Sequence, residues 1–388
     1  VPLVLLLILL SALPDAMVVP VLRDLLVERY GATAEQSQAF LAINLLGAGL
    51  AVPMVRRLRG RFPAWSLVAA GAMADGWLLA IMWLPIGFPA TLALRCIEGV
   101  ADVLTFAALF QLLGSSRVPG LAWRMGTGAT VLIAGLGAGA ILGGVAARAS
   151  GQGATIIFGL GAGACVLTSM LAVLAARRLE AQEIRMPEAS AASAPDRMPL
   201  WPMLLMAAAD RATGAALTAV FASFLARNMG YDPAERGRLV GLPLLLMALG
   251  AAPAGWLADR LGPLRTRTFA AIGYAACFAA VAWAGASTAV LSGVLLVLGL
   301  TAAPLLPASL SLTVRCGHES AGLAAFRAAG DAGYFAGIVT VVAVGAWLGG
   351  DRLITQQWLM TGFAAVHAAV TVMAWRRLRS GSAGVSFG

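Results

Sequence analysis

Roughly ten ionisable side chains lie inside strongly apolar runs of this chain, and six of them matter most: Asp15, Arg95, Glu98, Asp102, Asp210 and Arg211. Even on a lenient scale, an Arg or Asp at the centre of a membrane helix costs about 2.5–3.5 kcal/mol. A bundle that only had to stay in the bilayer would not carry such groups. They face a bundle interior or a water-filled path, where they bind, pair or move protons. Arg95, Glu98 and Asp102 fall at i, i+3 and i+7, on one face of a helix. There an Arg can hold one carboxylate ionised while another is free to protonate. The same trio also reads as a self-neutralising network that only fixes packing. Asp15 and the Asp210-Arg211 pair sit near the middle of their runs, close to the bilayer midplane at about 1.5 Å of rise per residue. Two carboxylates flanking a cavity suit a cationic substrate or protons, and Arg211 suits an anion. Asp210 and Arg211 can equally neutralise each other or outside neighbours. Asp75 is also mid-run, and its position suggests no role.

The elements that must position these residues are membrane helices. The chain has 388 residues, 60% hydrophobic and 12% charged, whereas a soluble protein carries about 25% charge. Apolar runs long enough to span recur along almost the whole length. The approximate spans are 2–26, 37–55, 64–84, 87–114, 121–147 and 153–176, then 200–226, 238–257, 267–286, 288–313, 322–348 and 355–375. The expected fold is therefore an all-α polytopic membrane protein, with twelve transmembrane helices in two pseudo-symmetric six-helix bundles. The first bundle covers 1–176 and the second 200–388, which includes a short cytoplasmic tail. The Ala/Ser-rich stretch 177–199 is a flexible cytoplasmic linker. An offset of 200 aligns Glu35 with Glu235 and Pro53 with Pro253. Six spans per half in one orientation is a parallel repeat, and such repeats place the substrate site at the interface of the halves. Pro304 and Pro307 should kink the tenth span and free carbonyls there. The first run continues past residue 13 and carries Asp15, which suits a spanning helix better than a cleavable signal.

All 27 basic residues are Arg, and the net charge is +9. They cluster in short loops, a pattern of membrane topology and not of nucleic-acid binding. With the N-terminus inside, 17 Arg fall in cytoplasmic loops and tail against 7 outside, so both termini are expected in the cytoplasm. The cytoplasmic count includes Arg124 and Arg267. A chain without Lys and rich in Ala and Gly has the composition of a high-GC bacterial genome, so the expected location is a bacterial inner membrane. The four cysteines lack metal-ligand spacing and read as packing residues. No phosphate-binding loop, metal cluster or nucleophile–base pair is present, so no cofactor, resident metal or enzymatic activity is expected.

At the end of the eighth span, Gly255-Trp256-Leu257-Ala258-Asp259-Arg260-Leu261-Gly262 resembles the G-x-L-a-D-r-x-G loop motif of the major facilitator superfamily, and the resemblance extends over the whole chain. It implies that Asp259 and Arg260 latch helix ends on the cytoplasmic side. The first-half copy, Pro53 to Arg61, has Arg57 where the Asp belongs. Arg95-Cys96-Ile97-Glu98-Gly99 resembles the family's R-x-x-q-G motif, which links Arg95 to proton coupling. Gly135 to Gly144 resembles the antiporter signature, with Ala140 in place of its Pro; close helix packing explains the same glycines equally well. Leu13 to Pro20 resembles the first helix of twelve-span drug exporters. Asp331, one turn after Arg327, reads as a gate contact.

These observations point to a proton-coupled secondary transporter that exports small amphipathic compounds by antiport, acting as a monomer in the lipid bilayer. Its partners are a small-molecule substrate and protons. Proton handling falls to Asp15, Arg95, Glu98 and Asp102, substrate binding to Asp15, Asp210 and Arg211, and gating to Asp259, Arg260, Arg327 and Asp331. Two alternatives remain open: an uptake permease for a polar solute or organic anion, and a non-transporting sensor or scaffold on the same fold.

Overall fold

In the computed structural model, residues 1–59, 61–115, 121–149, 153–179, 199–284, 287–315, 320–350 and 352–381 are described, and their regular structure is entirely helical. The first six α-helices are α1 (Pro2–Met17), α2 (Ala34–Arg59), α3 (Ala64–Trp83), α4 (Phe88–Ser115), α5 (Leu121–Ala149) and α6 (Ile156–Leu179). They are followed by α7 (Trp201–Asn228), α8 (Pro233–Leu261), α9 (Pro263–Trp283), α10 (Thr288–Ala302), α11 (Leu305–Arg315), α12 (Ser320–Leu348) and α13 (Leu353–Gly381). Ten described segments are long and apolar enough to cross a membrane, which makes this a multi-pass membrane protein. In α2 only Ala39–Ala51 is strongly apolar, and α9 opens with Arg265 and Arg267 in its first turns.

Two expected spans are less regular than a hydropathy profile shows. The first is α1, which carries Pro14 internally, followed by a 3₁₀ turn at Val19–Val21 and a π turn at Asp24–Glu28. Pro14 and Pro20 lack the N–H that a continuous helix needs, so the helical pitch changes around them. The expected tenth span is two helices, α10 and α11, separated by a turn at Ala303 and Pro304. Pro304 cannot donate to the carbonyl four residues earlier, so thirteen α-helices are seen among the described residues.

The chain divides into two compact units: Val1–Ala189 with Tyr231–Leu244, and Ser190–Gly230 with Leu245–Gly388. The first twelve residues of α8, 233–244, thus belong with the first unit. The expected linker lies almost wholly outside the described residues. Within the first unit α1 packs on α5 and α6, α2 on α4, and α3 on α4 and α6. Its core holds Leu7, Ile8, Val68, Leu109 and Leu113. Within the second unit α7 packs on α12 and α13, and α9 on α10 and α13. Met203, Met206, Leu312 and Ala374 are buried there.

The internal repeat is visible in local geometry. Gly31 and Gly230, 199 residues apart, both take left-handed backbone angles (φ 64° and 65°) just before a helix. At the same offset, Thr33 with Gln36 and Asp232 with Glu235 form reciprocal capping boxes at the starts of α2 and α8. The repeat register is therefore 199 at this point, so Glu235 corresponds to Gln36 and not to Glu35.

Candidate functional site

The first unit holds a cluster of carboxyl groups around one guanidinium. Arg95 on α4 forms an ion pair with Glu98 one turn later, and both side chains are sealed from solvent. Asn44 of α2 donates from Nδ2 to the other oxygen of Glu98 at 2.6 Å. That bond exists because α2 and α4 approach backbone to backbone. A Cβ on Gly47 would overlap the Cys96 carbonyl, and one on Gly99 would overlap that of Asn44. The Arg95 guanidinium lies 5.1 Å from the centre of the Phe40 ring.

Asp15, at the end of α1, and Asp102 are half-buried and within electrostatic reach of Arg95 and Glu98. Among the described residues neither has a hydrogen-bond donor. Asp75 of α3 belongs to the same cluster, in reach of Asp15, Glu98 and Arg95. It is buried, accepts from the Cys165 thiol of α6 at 3.3 Å through Oδ2, and leaves Oδ1 without a partner. Its place on a single apolar run gave no sign of this. Cys165 is 90 residues away in sequence, and only the packing of α3 on α6 joins them. Four carboxyl groups thus share one guanidinium.

The second unit contains a polar knot of a different kind. Asp210 of α7 accepts two hydrogen bonds from Arg267 Nη2, at 2.9 and 2.7 Å. His367 of α13 adds Nε2 at 2.7 Å; a carboxylate partner requires the tautomer with the proton on that nitrogen. Arg267 Nε donates to Ser309 Oγ of α11 at 2.7 Å. Tyr274 meets the His367 ring edge-on at 5.3 Å. Arg267 is 0% exposed and His367 1%.

Two expectations change here. Arg267 was counted as a loop residue but lies inside α9. Arg124 was also counted as a loop residue; it is buried on α5 and donates to the Leu113 carbonyl near the end of α4 at 2.9 Å. Of the two alternatives for Asp210 and Arg211, outside neighbours are the ones seen, because successive residues point to different sides of α7. Asp210 is held between α9 and α13 by Arg267 and His367. His367 was missed although a lone His in an apolar run is itself a signal.

Arg211 points instead at α12. Its Nη2 lies 3.5 Å from Asp331 Oδ1, and Arg327 Nε lies 3.3 and 3.1 Å from the two Asp331 oxygens. Arg211 also stands 5.3 Å from the centre of the Tyr334 ring. In the loop motif, Asp259 is exposed and Arg260 stacks 4.0 Å above the Trp256 ring. The closing Gly262 has φ 89°, a left-handed angle that only Gly adopts without strain. The glycine-rich stretch of α5 serves packing: a Cβ on Gly139 or Gly143 would overlap carbonyls of α1, and one on Gly144 would overlap that of Pro233. At the start of α8, Arg236 forms an ion pair with Asp24, and Arg148 lies 3.1 Å from Asp232.

Comparison with solved structures finds close matches over nearly the full chain. A crystal structure of the peptide transporter POT matches with a TM-score of 0.77 at 13% identity, covering 98% of this chain and 94% of that one. A bacterial homologue of the human lysosomal transporter Spinster, in an inward-facing and unoccupied conformation, matches at 0.74 with 14% identity, covering 99% and 98%. The chain shares the fold of these two solved transporters. At these identities the likeness concerns architecture alone. No protein-family model and no curated protein sequence matches the chain.

Proposed function

We infer that the protein is a proton-coupled secondary transporter with twelve membrane passes in two six-helix bundles, working by alternating access. In this reading it exports small amphipathic compounds by proton antiport across a bacterial inner membrane, with both termini in the cytoplasm. One observation carries it: Glu98 pairs with Arg95, and Asp15, Asp75 and Asp102 lie within electrostatic reach of that one guanidinium. If all four were ionised, four negative charges would face one positive charge in a poorly solvated core. Such a site favours bound protons and changes its proton content when water or a cation reaches it. Asp15 and Asp102, half-buried and without donors among the described residues, are the members placed to exchange protons. Arg95 and Asn44 hold Glu98 in place. The full-length match to two kinds of transporter supports the reading, and a sensor or scaffold gives no reason for an unbalanced buried cluster. Asp259 with Arg260 is one proposed gate contact, and Arg327 with Asp331 is a second, which opens when Asp331 is displaced.

The test uses proteoliposomes with an imposed pH gradient and an internal pH dye. Addition of amphipathic amines and acids to the wild-type protein should provoke substrate-dependent proton movement, and Asp15→Asn and Asp102→Asn should abolish it. Full coupled movement in both variants would remove the proton role from these residues. Comparing inside-out with right-side-out vesicles tests the assigned direction.

A further inference from the structure

We propose that Arg211 and Arg327 form a binding site for the anionic group of a small organic acid, with Asp331 as the built-in counter-ion that the ligand displaces. The proposal rests on the transport reading above and names the substrate class within the second unit. Arg211 and Asp331 lie within apolar segments long enough to span, Trp201–Phe221 and Ala325–Leu348, and so does Arg327. Yet their side chains are 49%, 42% and 59% exposed respectively. Arg211 lies midway along its segment, whereas Arg327 and Asp331 lie near the start of theirs; a charge at the depth of Arg211 does not face hydrocarbon, so the surface it shares with them lines a water-filled path open towards that end. The Asp210 knot on the same helix is closed, which makes the open trio distinct.

The trio is also unbalanced. Asp331 is the one carboxylate that pairs with either Arg among the described residues, so two guanidiniums share it. Its contact with Arg211 is long, at 3.5 Å. Each guanidinium has five donors in a planar fork that matches a carboxylate, sulfonate or phosphonate. Among the described residues, most of those donors have no protein acceptor. Packing fixes the fork of Arg211. A Cβ on Gly333 or Gly337 would overlap the backbone of α7 at Ala208 and Ala212, so α7 and α12 lie in direct contact. A Cβ on Gly330 would sit 3.1 Å from Arg211 Cγ, so the Arg stem rests on bare backbone. Tyr334 beside the guanidinium offers an aromatic face to the apolar body of a ligand. A cationic ligand would meet two positive charges here.

The experiment is a thermal-shift titration of the purified full-length protein with 4-phenylbutanoate, benzenesulfonate and the matched cation 4-phenylbutylamine. The expected result is a saturable rise in melting midpoint with at least one of the acids and none with the amine. In Arg211→Gln and Arg327→Gln the apparent affinity for the acid should fall about tenfold or more, as expected for losing a charged hydrogen bond. Asp331→Asn should tighten acid binding, because it removes the competing carboxylate. A purely structural trio predicts the opposite for that variant. If Arg211→Gln does not fold, Arg211→Lys keeps the charge but lacks the fork, and should weaken binding. No saturable shift with either acid, an equal shift in both Gln variants, or weaker binding in Asp331→Asn would overturn the proposal. Proton coupling is read separately with Asp102→Asn. Coupled amine movement with no acid binding overturns the anion site alone, whereas acid binding without any proton movement overturns the coupling reading alone.

Discussion

Each unit buries an Arg, one beside a single carboxylate and the other within reach of four carboxyl groups, with different balances of charge and solvent access. In the second unit, Arg267 and Asp210 match in charge, and His367 and Ser309 close the knot around them, with Arg267 Nη1 and His367 Nδ1 left without a hydrogen-bond partner among the described residues. In the first unit, Arg95 faces Asp15, Asp75, Glu98 and Asp102, and two of these carboxyls remain half-open. A balanced, closed network has one preferred charge state and works as a structural tie between α7, α9, α11 and α13. An unbalanced, partly open one has several charge states, which is what coupling to protons requires. Charge balance and access, more than the presence of a buried Arg, separate a tie from a working site.

The largest expected effect comes from breaking the tie. Arg267→Gln strands Asp210 in an apolar setting and should cost about 3–5 kcal/mol of stability, as removal of one partner from a buried pair does. Replacing the set together, with Asp210→Leu, Arg267→Met and His367→Phe, should recover most of that loss and keep transport. Thermal unfolding and proton-coupled flux, measured on both variants, check this. Loss of coupled transport in the stably folded triple variant would collapse the distinction between the two units.

Arg95→Gln should be less damaging to the fold, because its carboxyl neighbours can take up protons, but it should abolish coupled transport. Unfolding and flux measured on one preparation separate the two effects. Gly99→Val comes next: the added side chain forces α2 from α4 and should cost about 1–3 kcal/mol, as overpacking does. It should also lower coupling by breaking the Asn44–Glu98 contact, which Asn44→Ala reproduces without the steric clash. The smallest effect is expected from Cys165→Ala, which removes a weak thiol donor from Asp75 and should change stability by about 1 kcal/mol or less. Its value lies in the flux assay: an altered pH profile would place Asp75 in the working cluster, and an unchanged one would leave it outside.

Sequence reasoning was strongest where the information was local. The i, i+3 spacing of Arg95 and Glu98 put them on one face, and the structure pairs them. Arg327 and Asp331, one turn apart, also meet. Pro304 marked the break that divides α10 from α11, and the glycines of α5 marked a close helix contact. Pairings across helices were not legible. Asp75 finds Cys165, and Asp210 finds Arg267 and His367, only because particular helices pack together. Arg267 was misread because an Arg at the edge of an apolar run looks like a topology signal, whether it points to a headgroup or into the protein. The adjacency of Asp210 and Arg211 left two alternatives, each other or outside neighbours; neighbours on a helix diverge by about 100°, and each of the two meets an outside partner.

The most direct test of the contrast needs no knowledge of the cargo. Infrared difference spectra of the reconstituted protein between acid and alkaline buffers report carboxyl groups that gain or lose a proton in a dry setting. The expected result is a band from protonated carboxyl groups that shrinks in Asp15→Asn and Asp102→Asn and is unchanged in Asp210→Asn. A band that disappears in Asp210→Asn and survives intact in the two first-unit variants would place the proton site in the second unit and contradict the contrast.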